Sequence, residues 1–194
     1  MKEQQKKCTI FLDRDGVINE KAPEGDYIKS PEELKLLDGA AEAIKEFNER
    51  GYLVIVITNQ RGIGKGIMSK NDFEKVMAKL NEELKKHGAH IDGYYHCPDV
   101  DDSSPCRKPN IGMFLKAKDD FPDIDFKNSF VIGDSWRDVE AGKKLGAKTI
   151  LISKDTERSA FSDFVARDLF STVHIIVSEI VKDFLNKEED KRND

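Results

Sequence analysis

The chain has 194 residues, 38% of them apolar and 36% charged, enough apolar content for a core and too much for a disordered polyelectrolyte. Its length suits one domain of roughly 150 residues with appendages. The 32 basic and 37 acidic residues leave a net charge of -5, without the basic excess of a nonspecific nucleic-acid binder, and three cysteines are too few for a disulfide scaffold.

In chain order, Met1–Lys7 is polar and lacks the apolar segment of a signal peptide. No later apolar run approaches the about 18 residues of a membrane span. A soluble cytoplasmic monomer is the expectation. Apolar runs predict strands at Cys8–Leu12, Tyr52–Ile57, Tyr94–His96, Ser129–Ile132 and Thr149–Ile152. Leu53–Ile57 has no polar break, as a parallel strand covered on both faces requires. Helical patterns lie between them. Asp38 is placed to cap a helix ending at Gly51, and Ser69, with Asp72 three residues on, to cap another. Further helices fall at Gly112–Asp120, at Trp136–Leu145 with Gly146 as the stop, and over about Ser171–Leu185. Strand–helix alternation predicts an α/β, three-layer, Rossmann-like fold with a mostly parallel central sheet. Residues 1–186 form the single expected domain, and 187–194 a charged, fraying tail. The connection 19–37 is too short for a large cap domain.

Ligands of such sheets bind beyond the carboxyl ends of the strands. There the sequence delivers Asp13-Arg-Asp15-Gly16, Thr58-Asn59-Gln60-Arg61, Arg107-Lys108 and Asp134-x3-Asp138. One Asp after a strand is most often a turn or cap residue, but four polar strand ends on one rim point to a site. Gathered carboxylates call for a hard cation such as Mg²⁺, which also takes phosphate oxygens. One Asp can then stay ionised and attack phosphorus. A second, raised by burial and its neighbour, can carry the leaving group's proton. Asp13 and Asp15 suit these two tasks, Gly16 lets the chain turn over the phosphate, and Thr58 and Lys108 offer a hydroxyl and a cation to phosphoryl oxygens.

Asp13-x-Asp15-x-Val17, Thr58, Lys108 and Gly133-Asp134-x3-Asp138 together resemble the four motifs of the haloacid dehalogenase superfamily of aspartyl phosphatases. Asp13–Asn19, Thr58-Asn-Gln-x-Gly-Ile63 and Cys106-Arg-Lys-Pro resemble its capless branch, the D-glycero-D-manno-heptose 1,7-bisphosphate 7-phosphatases, which are related to histidinol-phosphate phosphatases. The resemblance implies Asp13 as nucleophile and Asp15 as general acid, then base. It implies Mg²⁺ on Asp13, the Asp15 backbone carbonyl and Asp134, with Thr58 and Lys108 steadying the phosphoryl group. Asn19, Glu20, Lys21 and Ala22, then Asn59, Gln60 and Arg61, and also Arg107, would contact a small phosphorylated sugar.

That family often carries a zinc loop ahead of its Arg-Lys-Pro. Here Asp99 stands for the expected His and Ser104 for a Cys, which leaves Cys97, Asp99 and Cys106. Structural zinc wants four ligands, mostly Cys and His, so Zn²⁺ is disfavoured and a loop held by turns and hydrogen bonds is expected. A Cys97–Cys106 disulfide is also disfavoured in a reducing cytoplasm. Cys8 reads as core, and the acidic run Asp99–Asp102 as a solvated loop. Trp136 reads as a packing or rim residue, and the role of Asp138 stays open. Gly62-Ile-Gly-Lys-Gly66 does not match a phosphate-binding P-loop.

Two other classes compete. Receiver domains form a phospho-Asp on a similar sheet, but their acidic pair and phosphorylated Asp lie on different strands and their Lys comes last. Polynucleotide 3′-phosphatases share a Thr-Asn-Gln-x-Gly-Ile-like segment, against which the net charge of -5 counts. No nucleic-acid or membrane partner is expected.

Overall fold

Alternating apolar strands and amphipathic helices build one six-stranded sheet in which every pairing is parallel. The computed structural model describes residues 7–155 and 161–193. The polar stretch before Lys7 and the terminal Asp194 lie outside them. The strands are β1 (Thr9–Leu12), β2 (Leu53–Asn59), β3 (Gly93–Cys97), β4 (Phe130–Gly133), β5 (Lys148–Ile152) and β6 (Phe164–Ala166), in the spatial order β3-β2-β1-β4-β5-β6. Chain order reverses direction beside β1, so the ends of β1, β2 and β4 open onto a shared crevice.

Strand alternation divides the core. Ile10, Leu12, Val54, Val56 and Ile132 face one layer, in which α1 (Ala40–Glu49) contributes Ile44 and Phe47 and α3 (Lys70–Lys86) contributes Phe73 and Leu80. Phe11, Ile55, Ile57 and Val131 face the other, where α4 (Gly112–Asp120) and α5 (Trp136–Leu145) bring Phe114 and Ala141. The result is the three-layer architecture the alternation predicts, and a run such as Val54–Ile57 is apolar because both of its faces are covered.

Ser69 and Asp72 form the capping box read from their spacing. At α1 the cap differs. Gly39, with φ 77°, holds the N-cap position without a side-chain bond, so the helix starts one residue too late for Asp38 to cap it. Two short elements escape the periodicity: β6 has three residues, and α2 (Arg61–Gly64) is a single turn. The last helix, α6, spans Leu169–Asn193 and continues into the charged segment read as a tail. Connection 19–37 forms no domain. It lies back against the body through buried Ile28 and Leu34, and Leu37 N donates to Ile18 O at 3.0 Å. No helix among the described residues is long and apolar enough to cross a membrane.

Phe47 is fully buried between α1 and the sheet. Phe47→Ala is expected to cost about 3–5 kcal/mol, the usual penalty for truncating a core aromatic, measured by urea unfolding followed by circular dichroism.

Candidate active site

The rim beyond β1, β2 and β4 gathers around one ammonium. Lys108 Nζ lies 3.1 Å from Asp13 Oδ1 and 2.6 Å from Asp138 Oδ1, and it donates to Ile57 O at 2.6 Å. Lys108 is 3% exposed, so its charge is stable there only because two carboxylates flank it. Burial works against that charge, yet Asp13 and Asp138 hold the Lys108 pKa above its ordinary value. Asp138 also caps α5, accepting from Ser135 Oγ at 2.6 Å and Ser135 N at 3.2 Å. Its role, open in the sequence, is to anchor the lysine.

Asp13 follows β1, and its backbone N–H donates to Ile132 O of β4 at 2.9 Å. Burial pushes its carboxyl up to about 7, opposed by Lys108 and aided by Asp138, Asp134 and Asp15. Burial raises Asp134 as well, with Lys21 acting the other way. The neighbours of Asp15 are donors: Arg14 Nη2 at 2.8 Å to both oxygens, Asn19 Nδ2 at 2.9 Å and Gln60 Nε2 at 2.9 Å. Arg14, fully buried, rests its guanidinium 5.7 Å from the Phe73 ring centroid.

Carboxylate oxygens of Asp13, Asp134 and Asp138 lie within 4.8 Å of one another. The Lys21 ammonium reaches Asp134 Oδ2 at 2.5 Å, so this corner already takes a positive charge. Gly16, with φ 87°, passes so near that a Cβ there would overlap the Asp134 carboxylate. Both features fit a small hard cation held by Asp13 and Asp134. The Asp15 carboxylate points to its donors, which leaves its backbone carbonyl as that residue's available ligand.

A cleft of about 300 Å³ opens over this rim, lined by Asp13, Asp15, Lys21, Ala22, Thr58, Asn59, Arg107, Lys108 and Asp134, with Tyr27 and Arg137 as further walls. Several residues expected at the substrate turn inward. Asn19 and Gln60 are buried and hold Asp15, and Gln60 Nε2 also reaches Thr58 Oγ1 at 3.0 Å. Asn59 lines the cleft but spends its amide on Lys108, donating to its carbonyl at 3.1 Å and accepting from its N–H at 3.0 Å. Glu20 and Arg61 are not among the cleft walls. Arg14, Tyr27 and Arg137 escape the sequence reading. The Asp13-Arg-Asp15 string contains Arg14, but nothing in the string says that its side chain folds back.

The loop after β3 corrects another expectation. Cys97 and Cys106 form a disulfide, with Cα atoms 5.5 Å apart. The end of β3 and the return of the loop bring the two residues within ordinary disulfide distance. Bonded sulfurs are not thiolate ligands, and the Asp99 carboxylate accepts from Ser104 Oγ. Cys8 is the free cysteine, half-buried, its thiol pushed up to about 12 by burial.

The sequence model of the family described as Polynucleotide kinase 3 phosphatase matches residues 9–177. A D-glycero-alpha-D-manno-heptose-1,7-bisphosphate 7-phosphatase from Campylobacter jejuni is 40% identical over 149 residues, 77% of this chain and 84% of the relative. A D-glycero-D-manno-heptose-1,7-bisphosphate 7-phosphatase from Chlorobaculum tepidum is 38% identical over 183 residues, 84% of this chain and 91% of the relative. Among solved structures, the D,D-heptose 1,7-bisphosphate phosphatase from B. bronchiseptica, complexed with magnesium and phosphate, gives a TM-score of 0.80 at 28% identity, covering 89% of this chain and 99% of that one. The architecture is therefore the haloacid dehalogenase-like one, without a large cap.

Two measurements check this site. Asp13 titrates near 7 when folded against 3.8 ordinarily, so the folded chain holds the extra proton and loses stability as pH rises from about 4 to 7. Added Mg²⁺ is expected to raise the melting temperature more at pH 8 than at pH 5, read by scanning fluorimetry. For the loop, thiol titration of unfolded, unreduced protein is expected to find one thiol, Cys8, and all three cysteines after reduction. Zinc chelation is expected to leave melting temperature and Mg²⁺-restored activity unchanged.

Proposed function

Since the chain belongs to the Polynucleotide kinase 3 phosphatase family and to the heptose-1,7-bisphosphate 7-phosphatases, we propose that it hydrolyses a phosphomonoester of a small sugar, removing the 7-phosphate of D-glycero-D-manno-heptose 1,7-bisphosphate with Mg²⁺. The observation that carries this is the placing of Lys108 Nζ 3.1 Å from Asp13 Oδ1 at the carboxyl end of the sheet. A carboxylate with a buried cation beside it, Thr58 across the crevice and open space above is built to attack phosphorus and to hold the phosphoryl oxygens.

In the first half-reaction an Asp13 oxygen forms a bond to phosphorus as the ester P–O bond breaks. The departing alkoxide takes a proton from Asp15. In the second, Asp15 takes a proton from water, the water oxygen bonds to phosphorus, and Asp13 leaves as carboxylate with phosphate released. Lys108 and the Thr58 hydroxyl attract the oxygens that gain charge, and Asp138 keeps the ammonium from drifting. Arg14, Asn19 and Gln60 hold the Asp15 carboxyl in one place at the edge of the cleft. Mg²⁺, held by Asp13, Asp134 and the Asp15 carbonyl, would supply the charge that lets an anionic nucleophile approach an anionic phosphate.

The family description also carries the word polynucleotide. The acidic loop Asp99, Asp101 and Asp102 near the cleft and the net charge of -5 oppose a polyanionic strand. A panel containing the heptose bisphosphate, histidinol phosphate, other phosphorylated metabolites and a 3′-phosphorylated oligonucleotide separates these readings by phosphate release. The heptose bisphosphate is expected to have the highest kcat/KM. Asp13→Asn is expected to abolish turnover, and Asp15→Asn to lower kcat by about 10²–10⁴-fold. Near-normal turnover by purified Asp13→Asn would defeat the covalent route.

A further inference from the structure

Arg61 and Arg107 sit on different segments, at the start of α2 and at the end of the loop after β3. One exposed carboxylate joins them. Asp102 Oδ1 accepts from Arg107 Nε at 2.7 Å and from Arg61 Nη2 at 2.7 Å. Arg107 is nearly buried, at 7% side-chain exposure, and it lines the cleft beside Lys108. Arg61 does not line it. The two segments also touch through backbone: a Cβ on Gly64 would overlap the Pro98 carbonyl. Asn110 Nδ2 ties the same loop down by donating to Ser104 O at 2.9 Å. Asp102 is not a cleft wall itself, but it is bonded to one. Two guanidinium groups converge on a single oxygen.

We propose that Asp102 is a positioning residue that fixes the Arg107 guanidinium in the cleft wall facing the non-reacting end of the substrate, and that Arg61 acts through Asp102 rather than by touching substrate. This rests on the reading that the substrate is a sugar bisphosphate, whose second phosphate is the anion Arg107 would meet. A charge-assisted bond holds a guanidinium in one orientation and lowers the ordering left to be done when an anion arrives. Long-range repulsion from the same carboxylate is weakened by water and salt, because Asp102 is 71% exposed. The Arg107 side chain bonds to Asp102 and to the Asp99 carbonyl, whereas it is Lys108 that bonds to Asp13, so the benefit is expected on binding of the larger substrate and not on the chemical step.

Steady-state kinetics with Mg²⁺ test this, using the heptose 1,7-bisphosphate and p-nitrophenyl phosphate, which has no second anionic group. Asp102→Asn is expected to raise KM for the bisphosphate about three- to tenfold with kcat within about twofold, the range for one partly exposed charge-assisted contact. The kcat/KM for p-nitrophenyl phosphate should fall much less, and Asp102→Glu should recover part of the loss. In an Arg107→Met background, Asp102→Asn should add almost nothing, because its effect passes through Arg107. An equal loss on both substrates, a full Asp102→Asn effect surviving in Arg107→Met, or a KM that stays flat or falls would overturn the role of Asp102 alone. Wild-type protein that turns over p-nitrophenyl phosphate but not the bisphosphate would overturn the substrate reading, and this inference with it.

Discussion

The Lys108 ammonium, nearly excluded from water between Asp13 and Asp138, is the constraint on which the rest of the site depends. A buried cation is costly unless carboxylates and a carbonyl surround it, and removing any one partner strands the others. Its three contacts come from the ends of β1 and β2 and the start of α5. The lysine thus ties three parts of the rim together, and it leaves Asp13 beside a cation before any ligand arrives. Pre-set charge of this kind needs no rearrangement as charge develops on the phosphoryl group.

A cleft without a cap domain stays open to water, so order must be supplied from beneath. The end of β2 and the residue after it do this. Asn59 grips the backbone of Lys108 on both sides, and Gln60 bridges Thr58 and Asp15. Arg14 and Asn19 complete the hold on Asp15 from the β1 side. Groups that could have faced the ligand are used to fix the groups that do, which suits a reaction whose reacting atoms must meet at close range.

Across the crevice, the loop from Cys97 to Lys108 is anchored at both ends. A disulfide closes it near the sheet, and the Lys108 backbone is held by Asn59. Residues between these anchors, Asp99 and Asp102 among them, bond to side chains of the same loop or of α2. A short loop held at its ends can present Arg107 and Lys108 in fixed positions.

What the sequence determined by itself is whatever depends on neighbours along the chain. Apolar runs and helical spacing set the strands, the helices and their alternation. Their alternation sets the sheet, and the sheet sets which residues reach the rim. Asp13, Asp15, Thr58, Lys108 and Asp134 are legible because each lies at the carboxyl end of a strand or in the loop beyond it. Tertiary structure decided the rest, since direction across space is not encoded in spacing. It turned Asn19, Gln60 and Arg61 away from the cleft, brought Arg137 and Tyr27 to it, and paired Asp138 with a lysine 30 positions away. It also brought Cys97 to Cys106 across a sequence separation of nine. The side chain of Asp102, one of a run of acidic residues, has the composition of a solvated loop. Only the packing of two distant segments makes it the oxygen on which two guanidinium groups meet.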